Sequence, residues 1–136
     1  MSKIFLDTNV PVYALDRDQP AKQARARELL AHFADADTSV VSTQVLQEAF
    51  VAAVGKLGIE AVQAKAFLRS LPVHETVTVT PEMVFSAMDC SVLNQLSFWD
   101  ALIVTTAAAA ACTCIWTEDF NDGQVIMGVR IENPFR

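Results

Sequence analysis

Short apolar runs alternate along the chain with longer segments whose apolar positions recur at helical spacing. Lys3 to Asp7 and Thr38 to Ser42 read as buried strands, rich in β-branched and aromatic residues. Pro11 to Leu15 predicts a short helix. Pro20 to Ala36 predicts a longer one, with Ala26, Leu29, Leu30 and Phe33 on one face. Thr43 to Lys56 follows, with Val45, Leu46, Ala49, Phe50 and Ala53 inward and Gly55 or Gly58 ending it. Glu60 to Ser70 predicts a further helix that stops before Pro72. Glu75 to Val79 alternates like a strand. Thr80 caps a helix that opens with Pro81 and runs to about Leu96, and Ser97 caps the next, Phe98 to Ala111. Thr113 to Thr117 and Val129 to Glu132 complete the strands. Strands alternating with helices imply an α/β fold, with a mainly parallel sheet covered by helices on both faces.

Composition narrows this picture. At 136 residues, 52% of them hydrophobic, the chain fits one domain spanning residues 1–136 with a sizeable core. Mean hydropathy is positive at +0.30, yet the apolar stretch Ala101 to Ile115 is shorter than a membrane span and begins beside Asp100. The net charge of −6 argues against a basic surface that holds nucleic acid by charge alone, but not against nucleic acid as a substrate. Lys22, Arg25, Arg27, Lys56, Lys65 and Arg69 are available for a local basic rim. The first strand opens close to the N-terminus with no targeting segment ahead of it, and three cysteines fit a reduced, cytoplasmic setting. Cys112 and Cys114 read as core thiols on one face of a strand. His32 and His74 have no Ser or Cys partner that makes a nucleophilic triad visible.

Acidic residues close several of the apolar segments. Asp7 ends the first strand, Glu48 lies one turn into a helix, Asp100 sits in the first turn of another, and Asp119 follows a strand. Each has an ordinary reading: Asp7 as an Asx turn, Glu48 as a solvated helix residue, Asp100 as a capping acid after Ser97, and Asp119 as loop chemistry with Asn121, Asp122 and Gly123. Together they point to one edge, because ligands of open α/β sheets gather at the carboxyl ends of the strands. Two carboxylates ~5 Å apart repel by about 3 kcal/mol at an effective dielectric near 20, so converging ones need cations or protons. Oxygen donors without clustered histidine or thiolate select Mg²⁺ or Mn²⁺. Among the remaining residues, Trp116 and Phe120 read as packing, Trp99 as partly exposed, and Glu118 as a solvated neighbour.

Four segments now carry a resemblance: Ile4-Phe5-Leu6-Asp7-Thr8-Asn9, Ser42 to Glu48, Ser97 to Ile103, and Thr117 to Gly123. In order and spacing the chain resembles PIN-domain ribonucleases, most closely VapC-type toxins of toxin–antitoxin pairs. The resemblance implies a three-layer α/β/α sandwich with a central, mainly parallel sheet. It implies an Mg²⁺- or Mn²⁺-dependent endoribonuclease in which a metal-activated water hydrolyses RNA and leaves a 5′-phosphate and a 3′-hydroxyl. Asp7, Glu48, Asp100 and Asp119 match the family's acidic quartet, with Asp7 and Asp100 the leading direct ligands. Thr8, Asn9 and Thr117 are supporting groups, and Asp122 is a position used in some members. A homodimer and a small antitoxin protein are the implied partners. Two other functions compete: a catalytically silent module that binds RNA or protein, and a phosphatase with Asp7 as nucleophile. Asn9 counts against the latter, since that chemistry typically places a second aspartate there.

Overall fold

Leu6 stands in the middle of the sheet, fully buried, because the run Lys3–Leu6 (β1) pairs on both sides. The structure is a computed structural model that describes residues 2–33 and 38–136. After β1 come α1 (Asn9–Leu15), α2 (Pro20–His32), β2 (Ser39–Ser42), α3 (Thr43–Gly55) and α4 (Ala61–Arg69). Then follow β3 (Glu75–Val77), α5 (Pro81–Asn94), α6 (Phe98–Ala109), β4 (Cys112–Trp116), β5 (Val125–Ile126) and β6 (Val129–Glu132). The strands lie in the order β3-β2-β1-β4-β6-β5, and all are parallel except β5. Helices pack in successive pairs, α1 on α2, α3 on α4 and α5 on α6, to give a three-layer α/β/α sandwich.

The expected elements form, with shifted ends. The helix expected from Pro11 starts at Asn9. This places Pro11 in its first turn, where a missing N–H costs nothing. The expected end of the second helix beyond Phe33 lies outside the described residues. Phe50, expected inward, is 38% exposed at the edge of α3. Ser42, Thr80 and Ser97 cap α3, α5 and α6, each accepting a backbone N–H three residues on. Cys112 and Cys114 are buried side by side on one face of β4. Burial pushes their thiols up to about 11 and about 12, which suits packing rather than reactivity.

One strand was not expected. Val125 and Ile126 fold back on Val129 and Arg130 through a two-residue turn. Both turn residues, Met127 and Gly128, have positive φ (51° and 77°), the geometry that matches strand twist in a tight hairpin. Among the described residues no helix is long and apolar enough to cross a membrane.

The topology sets the place for a ligand. From β1 the chain proceeds outward through β2 and β3 on one side, and β4 opens the other side. β1 and β4 are therefore neighbours whose connections diverge, leaving a crevice at their carboxyl ends.

Candidate metal centre

Asp7 is the first residue past β1 at that crevice, and it is 4% exposed. The register that sets Leu6 against Trp116 puts Asp7 beside Thr117, the first residue past β4. Asp7 Oδ1 accepts the Thr8 N–H at 2.7 Å, and Asp7 Oδ2 accepts the Thr117 hydroxyl at 2.7 Å. Burial nevertheless dominates and raises the Asp7 carboxyl to about 7; the charges of Asp119 and Glu48 add to the rise, and the two hydrogen bonds oppose it.

The other acids arrive on separate elements. Glu48, on α3, accepts the Thr8 hydroxyl at 2.9 Å. Asp119, in the loop after β4, accepts from Asn9 Nδ2 at 3.1 Å, and its own N–H donates to Thr117 Oγ1 at 3.1 Å. Asp100 lies in the first turn of α6, where its N–H donates to the Ser97 hydroxyl at 3.1 Å. Partial burial raises its carboxyl pKa; an interaction with Ser97 opposes that rise, and Asp119 adds to it. Asp100 thus belongs to a capped helix start and also faces the shared pocket.

All four acids, with Thr8 and Asn9, line one open pocket of about 320 Å³. Thr117 reaches it through its bonds to Asp7, Asn9 and Asp119. Asp122 is directed elsewhere: it accepts the Asn133 N–H at 2.9 Å and lies 3.6 Å from the Arg136 guanidinium. Of the six basic residues available for a rim, only Lys56 lines the pocket. Arg25 and Arg27 donate instead to the carbonyls of Pro134 and Ala14, while Lys22 pairs with Glu118 and Lys65 and Arg69 line a separate cleft beside α4.

The donor set fits a hard divalent cation. Among the described residues no three carboxylate, imidazole or thiolate groups stand close enough together, as placed, to hold a metal ion between them. The four acids stand around an open pocket, which suits Mg²⁺, since it keeps several waters and takes only one or two carboxylates directly. Asn9 Oδ1 is buried there without a hydrogen-bond partner, an oxygen donor left unclaimed by the protein.

One neighbouring group departs from the role expected of it. Glu118 is not solvated: the Tyr13 hydroxyl donates to its Oε1, and Lys22 Nζ donates to its Oε2 at 2.9 Å. Lys22 also donates to the Tyr13 oxygen at 3.1 Å and lies over the Tyr13 ring. This three-residue clamp fastens the Thr117–Asp119 loop to α1 and α2. Only the fold brings together residues so far apart in the chain.

A parallel-sheet α/β domain with an acidic pocket at its strand switch point defines the class of protein. The profile of the PIN domain family matches residues 4–121, and the chain belongs to that family. Among solved structures, the chain is similar to VapC20 of Mycobacterium tuberculosis, a sarcin–ricin loop cleaving toxin. The match has a TM-score of 0.72 and 23% identity, and covers 88% of this chain and 92% of that one. It is also similar to VapBC2 of Rickettsia felis bound to a promoter DNA fragment, with a TM-score of 0.67, 21% identity, and 96% and 97% of the two chains covered. A toxin–antitoxin complex from Klebsiella pneumoniae matches with a TM-score of 0.67 and 20% identity, over 98% of each chain. A search of curated proteins by sequence returns no match.

Proposed function

We propose that this chain is a Mg²⁺- or Mn²⁺-dependent endoribonuclease acting as the toxin of a VapC-type toxin–antitoxin pair. One observation carries the reading: four acids from four separate segments meet in one pocket at the strand switch point. A divalent cation held there would act as a Lewis acid on a phosphodiester and offset charge on its leaving oxygen. Asp7 and Asp100 are the direct ligands in this reading, with Glu48 and Asp119 completing the set. Thr117 and the Thr8 amide orient the Asp7 carboxylate, and the Thr8 hydroxyl orients Glu48. Asn9 ties Asp119 to the start of α1. A small antitoxin protein is the partner that the structural neighbours support, since several of them are toxin–antitoxin complexes; a second copy of the chain is the partner that the family resemblance implies.

An RNA-cleavage time course on EDTA-stripped protein, with Mg²⁺ or Mn²⁺ added back, tests the activity. Wild type is run beside Asp100→Asn, with circular dichroism confirming that both are folded. Metal-dependent cleavage by wild type alone is expected. Equal cleavage by both would place the activity elsewhere, and binding without cleavage would favour the silent binding module.

A further inference from the structure

The acidic pocket opens into a second, larger groove of about 760 Å³, and Glu48, Ala52, Lys56 and Trp99 line both. The groove is mostly apolar, and its largest exposed element is the Trp99 ring, 61% exposed beside Asp100. The ring meets Phe98 edge-on, 5.1 Å between centroids, and leaves most of its surface open beside Asp100. By contrast Trp116, the other tryptophan, packs against Phe33 and donates its indole N–H to Glu132.

The geometry points to a nucleobase subsite: Trp99 stacks the base of a nucleotide adjoining the cleaved phosphodiester, and Lys56 meets a backbone phosphate between groove and pocket. This deepens the nuclease reading and rests on RNA being the substrate. Three observations favour this occupant. The Lys56 ammonium makes no hydrogen bond or ion pair with any described residue, so its charge is available at the border of the two cavities. The backbone that carries the ring is anchored, because Gln44 Nε2 donates to the Trp99 carbonyl at 3.1 Å. The floor is also short of one hydrogen bond: Gln44 Oε1 is buried without a partner, and an N–H of a base is the donor class it lacks. Every base has a π-face, so such a platform grips single-stranded RNA with little sequence preference.

The test uses the full chain with Trp116→Phe, which leaves Trp99 as the sole tryptophan. The probe is a single-stranded RNA octanucleotide, kept intact by EDTA, beside an abasic strand of equal charge. The base-bearing strand is expected to quench Trp99 fluorescence and the abasic strand not to. Lys56→Ala is expected to weaken binding of both strands. In cleavage assays Trp99→Ala is expected to raise KM roughly tenfold with little change in kcat, and Trp99→Phe to recover most of the loss. Equal quenching by both strands, or an unchanged KM in Trp99→Ala, overturns the subsite while leaving the nuclease intact. Quenching selective for the base-bearing strand, with no cleavage by any variant, keeps the subsite and removes the nuclease. A Trp99 emission shift that follows protein concentration without RNA assigns the groove to a second copy and also overturns the proposal.

Discussion

At the residue scale, Asp7 is the most consequential side chain because its environment opposes its charge. An ordinary aspartate ionises near 3.8, while the folded protein holds this one near 7. Between those values the folded state carries a proton that the unfolded chain has lost. Stability therefore falls as pH rises from about 4 to about 7, and is level above that. The full penalty is about 4 kcal/mol at 1.36 kcal/mol per unit. Asp7→Asn removes the buried charge but accepts through one oxygen rather than two. A net gain of about 1–3 kcal/mol is expected for the metal-free variant at pH 8, shrinking to nothing near pH 4. Denaturant melts in EDTA at the two pH values measure it. Thr117→Val works in the opposite direction. Its hydroxyl donates to Asp7 and accepts from Asp119 and Asn9, so its loss is expected to cost about 1–2 kcal/mol and to push the Asp7 carboxyl higher still. A titration of the Asp7 carboxyl by NMR would show no change if the hydroxyl were idle.

At the element scale, each acid is only as well placed as the segment that carries it. Ser97 fixes the first turn of α6, and with it Asp100. Ser97→Ala is expected to lower stability by about 1 kcal/mol, the usual worth of a cap, and to weaken metal binding as the turn frays. Titration calorimetry with Mn²⁺, with Ser97→Asp as a restoring cap, separates the two effects. This level was largely legible in the sequence. Helix starts were marked by Ser42, Thr80 and Ser97, and β1 and β2 by unbroken apolar runs, since strands buried on both faces need no alternation. The acids were legible as ends of such runs. Features that depend on distant residues were not. The Tyr13–Lys22–Glu118 clamp joins positions about a hundred residues apart, and the Arg25 and Arg27 side chains found carbonyls that no local pattern announces. Strand β5 leaves no local pattern in the sequence, because it has two residues and Met127 rather than asparagine takes the first positive-φ position of its turn.

At the scale of the whole molecule, the chain carries net charge −6 and gathers four of its acids at one crevice. Such a fold is stabilised by any cation that binds the native state alone, by about 2.7 kcal/mol at one hundred times its dissociation constant. Mg²⁺ is therefore expected to raise the melting temperature of wild type at pH 8, and to do so less at pH 6, where protons compete for Asp7. Asp7→Asn and Asp100→Asn are expected to lose most of this response. For Asp7 the two effects have opposite signs, so the order of stabilities should cross. In EDTA the Asp7→Asn protein is the more stable of the two, and in saturating Mg²⁺ wild type is. Thermal melts of both proteins, with and without metal, read that crossing directly. An ordinary surface aspartate would show neither half of it, and a purely structural buried aspartate would show the first half without the second. The crossing occurs only where the pocket strains a carboxylate that a cation then relieves.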